Sequence, residues 1–114
     1  MERERFAVLV EEALERLPAK FRARLENIAV IVEDFPPPSR HRETRSRLLG
    51  IFEGVPLTEK TVFATAPPGR IVLYQKNIEA VSESEERIRE EMKLTVLHEV
   101  GHYFGLSEEE LKEV

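Results

Sequence analysis

His98-Glu99-Val100-Gly101-His102-Tyr103-Phe104-Gly105-Leu106-Ser107-Glu108 is the stretch of this 114-residue chain on which the rest of the reading turns. Upstream of it, Ser82 and Glu85 have the spacing of a capping box, and Glu83, Glu85 and Glu86 suit the positive N-terminal end of a helix. The pattern predicts a long helix from Ser82 to about Phe104. Gly105 ends it, because glycine takes the left-handed conformation that terminates helices at little steric cost. Ser107 and Glu110 repeat the capping spacing, so a last short helix is expected, with Glu108 in the tight turn between the two helices.

On that long helix His98 and His102 stand four residues apart, one turn apart on a single face, where two imidazoles can share one zinc ion. The chain has no cysteine, so a transition metal must be held by imidazole and carboxylate. Glu99 can direct its carboxylate at a water on the metal without taking a coordination place. The chain reversal allowed by Gly105 brings Glu108 back over the histidine face as third ligand, leaving a fourth place open for water. The full pattern is H-E-x-x-H-x-x-G-x-x-E. With this composition, the five-residue core would arise by chance in roughly one such chain in seventy, so motif and context must be weighed together. The competing reading, two partly buried helix histidines around a glutamate, is costly without a compensating metal. His41 is a conceivable replacement for Glu108, but it follows a proline-rich basic segment and reads better as a surface histidine.

The helix around the motif is apolar on most of its circumference. Leu94, Leu97, Gly101 and Phe104 form one stripe and Val96, Val100 and Tyr103 another, both read as core. Gly101 costs about 1 kcal/mol of helix propensity against alanine, which points to a close approach there by the backbone of a strand. Three strand candidates lie upstream. Asn27 to Glu33 is a short β-branched run, too apolar for an exposed edge and suited to a buried strand. Leu48 to Glu53 and Arg70 to Gln75 follow, joined by a connection rich in glycine and proline. Tyr74, near the end of the last run, could hydrogen-bond a developing oxyanion, although a strand tyrosine is more often an interior or rim residue.

Arg3 to Leu17 carries Phe6, Val10, Ala13, Leu14 and Leu17 at three- and four-residue spacing, an amphipathic helix stopped by Pro18. Ser39 to Arg47 holds Arg40, His41, Arg42, Arg45 and Arg47, a basic stretch read as a solvated loop or frayed helix. The length fits one domain over residues 1–114, with a few helices and a small sheet around one core. The net charge of -5 argues against nucleic acid as a partner. Met1 to Leu17 has no unbroken apolar run, so neither a signal peptide nor a membrane span is expected and the default location is the cytoplasm. The excess of Glu and Arg, with two Asn and one Gln, resembles the composition of thermophile proteins.

Over His98 to Glu108, Leu49-Gly-Ile-Phe-Glu-Gly-Val-Pro-Leu-Thr58 and Arg70-Ile-Val-Leu-Tyr74, the chain resembles the zincin-like metallopeptidase family of small bacterial proteins. The resemblance covers about the last two-thirds of the chain. It implies an α+β, minimal zincin-like fold, a small mixed β-sheet packed against a long metal-binding helix with flanking helices, and an acidic third ligand at Glu108. The metzincins share the extended motif but have a methionine turn after the third ligand. Here Met1 and Met92 both precede the motif. The substrate cleft of larger zincins has one wall made by a C-terminal subdomain, so an open cleft is expected, completed if at all by a second copy or a partner.

These residues together predict a zinc-dependent metallopeptidase with one zinc per chain, acting on peptides or proteins through water activated by Glu99. An extended peptide is expected to add to a sheet edge, with Leu48 to Glu53 or Arg70 to Gln75 as candidates. The rival from another class is a non-catalytic, zinc-stabilised peptide- or protein-binding module. A third reading, nucleic-acid binding through Arg40 to Arg47, predicts steep salt dependence and indifference to chelators.

Overall fold

Pro18 follows the end of one helix, as expected, and caps the start of another. In the computed structural model α1 spans Arg3–Glu15 and α2 spans Ala19–Leu25, with Pro18 at the N-cap of the second. The remaining elements are β1 (Ile28–Glu33), α3 (Arg42–Arg47), β2 (Gly50–Gly54), β3 (Gly69–Tyr74), α4 (Gln75–Ala80) and α5 (Glu85–Tyr103). The structure describes residues 1–38, 42–54, 69–105, 107, 109 and 111, and at 42–44, 102 and 103 the backbone alone. Among these residues the fold is α+β, five helices with a three-stranded mixed sheet.

The strand order is β1-β3-β2, with β1 parallel and β2 antiparallel to β3. The central strand is therefore β3, and the apolar run of β1 lies at a side of the sheet, contrary to the expectation of a buried strand. Side-chain alternation explains its composition. Val30 and Val32 pack toward the core, while Ala29 and Ile31, on the opposite face, are half-buried as well. Both faces of β1 are thus partly covered although only one edge is paired among the described residues.

One face of the sheet carries Ile71 and Leu73, both fully buried, and packs with α1 and α5 into a single core. Helix α1 contributes Phe6, Leu9, Val10 and Ala13. Burying a side chain of the size of Phe6 or Leu9 is worth roughly 1.5–3 kcal/mol, so α1 is held by this contact first. Ion pairs rim it: Arg5 with Glu85, Arg16 with Glu86, and Arg89 with Glu12 at 3.2 Å. Arg5 and Arg16 hold the carboxyls of Glu85 and Glu86 below the ordinary glutamate range through their side-chain hydrogen bonds.

Helix α5 begins two residues later than the capping box at Ser82 suggests. The cap is Ser84, whose Oγ accepts from the Arg87 N–H at 3.1 Å. Ser82 instead donates its hydroxyl to the Ile78 carbonyl at 2.7 Å and closes α4. Toward the core α5 presents Ile88, Met92, Val96, Leu97 and Val100. Gly105, with φ of +79°, ends it in the left-handed conformation that its residue type allows. Beyond the turn Glu109 and Leu111 are helical, and the Leu111 N–H donates to the Ser107 carbonyl at 3.0 Å.

Among the described residues no helix is long and apolar enough to cross a membrane.

Candidate metal centre and its cleft

Gly50 sets the distance between the sheet and the motif helix. A Cβ at this position would lie 2.8 Å from Cγ2 of Thr95 and 2.9 Å from the carbonyl oxygen of Val72, so a residue without a side chain is what lets β2 approach α5. Beside this contact a cleft of about 300 Å³ opens between the end of α3, the start of β2 and α5. Its lining includes Arg47, Leu49 and Gly50 from one side and Leu94, Thr95, His98 and Glu99 from the other. The exposed imidazole of His98 and the half-buried carboxylate of Glu99 thus share one cavity wall.

The ring nitrogen Nδ1 of His98 lies 2.8 Å from the carbonyl of Leu94. A carbonyl only accepts, so Nδ1 carries the proton and Nε2 carries the lone pair. That is the tautomer in which a metal-binding histidine is usually fixed by its outer neighbour. The arrangement follows from the helix itself, because a residue four positions back supplies the carbonyl. His102 lies one turn further along α5. Its side chain and Glu108, like His41, fall outside the described residues.

The glycine in the motif has a different neighbour from the strand expected. A Cβ on Gly101 would collide with the side chain of Leu111. Leu111 is itself buried. Beyond Gly105 the chain therefore returns at Leu111 to the turn of α5 that carries Gly101. A tautomer-fixed imidazole and a neighbouring carboxylate are donors that suit zinc, while among the described residues no group of three or more such side chains is brought together.

Tyr74 is not brought to the cleft. It is 3% exposed, and strand alternation puts it on the sheet face with Ile51 and Val72, away from α5, whereas Gly50, Ile71 and Leu73 face the helix. Leu94, read as core, lines the cleft at 36% exposure. Its place four residues before His98, on the same face, was the available signal.

Asn77 is, with Gln75, one of two buried polar residues among those described, and sequence patterning passed over it. At 3% exposure it donates its side-chain amide to the carbonyls of Arg45 at 2.6 Å and Leu48 at 2.8 Å. The next carbonyl, of Leu49, accepts the N–H of Tyr74 at 2.8 Å. These three bonds fix the backbone that forms the sheet side of the cleft.

With fold and cleft described, the comparisons define the class. Residues 25–114 match the family described as zincin-like metallopeptidase, and the chain belongs to this family. No curated protein matches the chain. Among solved structures it is similar to a conserved hypothetical protein from Thermus thermophilus, with 25% identity, a TM-score of 0.58, and coverage of 91% of this chain and 94% of that one.

Proposed function

We propose that this protein is a zinc-dependent peptidase in which His98, His102 and Glu108 hold the metal and Glu99 is the catalytic base. The observation that carries the reading is the shared cleft, in which a tautomer-fixed His98 and Glu99 line one wall beside β2, the outer strand of the sheet among the described residues. When bound, zinc supplies a Lewis acid that polarises a carbonyl and acidifies water. Glu99 takes the proton of the attacking water and hands it to the amine that leaves. His98 keeps its orientation through the Leu94 carbonyl, so no reorganisation of that ring accompanies the reaction.

Substrate would add along β2. Strand β3 is paired on both sides and has no edge to offer, which removes Arg70 to Gln75 from the two candidates. Because Leu49 shares a hydrogen bond with Tyr74, antiparallel alternation turns the N–H and C=O groups of Gly50 away from β3. Those groups would accept an extended peptide through main-chain bonds alone.

The test is metal content by mass spectrometry after stripping and reconstitution, followed by a peptide-hydrolysis screen. One zinc per wild-type chain, lost in His102→Ala and Glu108→Ala, is expected. Glu99→Gln should keep zinc and lose turnover. Turnover kept in Glu99→Gln would remove Glu99 from the role of base, whereas zinc bound by a wild type that hydrolyses no peptide would favour the zinc-stabilised binding module, because a non-catalytic site has no use for the base.

A further inference from the structure

We infer that Arg47 is a specificity determinant of this cleft, and that the substrates are peptides bearing an aspartate or glutamate close to the scissile bond. The inference rests on the peptidase reading and adds the chemistry of the substrate to it. Three observations carry it.

The first is the state of the guanidinium. Arg47 is exposed and lines the cleft with His98 and Glu99. Six of the twelve arginines of this acidic protein are engaged by acids: Arg3, Arg5, Arg16, Arg70, Arg87 and Arg89 each pair with a carboxylate. No carboxylate among the described residues pairs with Arg47, although Glu91 and Glu99 line the same cleft. Glu91 is bound by Arg87 one turn before it on α5, and Glu99 stands in the position of the base. A planar fork of donors on an exposed residue of the cleft wall is suited to bidentate binding of a carboxylate.

The second is preorganisation. Asn77 holds the carbonyls of Arg45 and Leu48, on either side of Arg47, from beneath. The backbone that bears the guanidinium is fixed, so little ordering of the chain opposes binding.

The third is reach. Arg47 precedes Gly50, the first residue of β2, by three positions, at most about 10 Å of chain. A peptide paired with Gly50 advances about 3.3 Å per residue, so a carboxylate within about three residues of the paired position comes within range. Leu94, exposed on the other side of the cleft, offers an apolar surface to the neighbouring substrate side chain.

The experiment uses zinc-loaded full-length protein with Arg47→Gln and Arg47→Glu. A degenerate peptide mixture first locates a cleavage site, and matched peptides then carry Glu, Gln or Lys at each of three positions on either side. In parallel, the same peptides, fluorescently labelled, are titrated against Glu99→Gln with and without the Arg47 substitutions. Wild type should prefer Glu over Gln by about tenfold at one position, expressed in KM and weakened by salt. Arg47→Gln should lose that preference and Arg47→Glu should favour Lys, each with an unchanged thermal midpoint. An identical order of preference in all three proteins, with cleavage intact, overturns the inference and leaves the peptidase reading standing. If zinc-loaded wild type cleaves nothing, the peptidase reading fails, and equal binding of Glu and Gln peptides in the anisotropy titration then overturns the role of Arg47 as well.

Discussion

Leu111 lies against Gly101 so closely that no side chain fits between them. The contact joins the segment beyond Gly105 to the turn of α5 that carries His102. Substituting Gly101→Leu should cost about 1–3 kcal/mol through overpacking, seen as a lower urea midpoint. Zinc affinity should fall with it, because the displaced segment carries Glu108. Combining it with Leu111→Ala should restore part of the loss, and strictly additive effects would show that the two residues do not share this space.

Asn77 should prove indispensable to the cleft although it touches no substrate. Asn77→Ala leaves the carbonyls of Arg45 and Leu48 without their buried donor, at a cost of roughly 1–3 kcal/mol. Asn77→Asp should be at least as damaging at neutral pH, since a carboxylate has no proton to donate to two carbonyls. Denaturant unfolding of the two variants measures both effects.

The metal should stabilise the fold in proportion to its binding. At free zinc about a hundred times the dissociation constant, unfolding free energy should rise by about 2.7 kcal/mol. Glu99→Gln should keep this increment, and His98→Ala should lose most of it. A full increment in His98→Ala would remove that imidazole from the ligand set.

The ion pairs between α1 and α5 give an acid limb to stability. Glu85 and Glu86 have carboxyls lowered from the ordinary value of 4.5. Their contribution is therefore present above the unfolded value and is lost as pH falls through the lower folded values. In Glu85→Gln with Glu86→Gln, the urea midpoint should decline less steeply below pH 4.5 than in wild type. Raising the salt concentration should narrow the difference, because both pairs are at the surface.

Much of this architecture is legible in the residues. The period of Phe6, Val10 and Ala13 marks α1, and the β-branched run marks β1. Gly105 ends α5 as its conformational freedom suggests. Short elements are harder to read. Helices α2 and α4 have seven and six residues, too few for a periodic stripe to stand out. The capping box at Ser82 misleads because two serines stand two residues apart and the local pattern fits either. In the cleft, His98 and Glu99 are marked by their motif. Arg47 and Leu94 carry no motif, since their importance comes from β2 lying beside α5. Asn77 is hidden for the same reason: its partners are carbonyls some thirty residues away, and a pattern of side chains says nothing of them.

The docking of α1 on α5 joins parts of the chain about eighty residues apart, as the Arg5 and Glu85 pair shows. Contacts of such separation form late, because the intervening loop must close first. On the ribosome α1 leaves the exit tunnel long before its partner helix exists, and it waits there with Phe6 and Leu9 uncovered. The helix that brings this core together is the same one that carries His98 and Glu99. The cleft therefore gains its second side only once α5 has been made, and a nascent chain that stops short of Glu85 has just the sheet side of it.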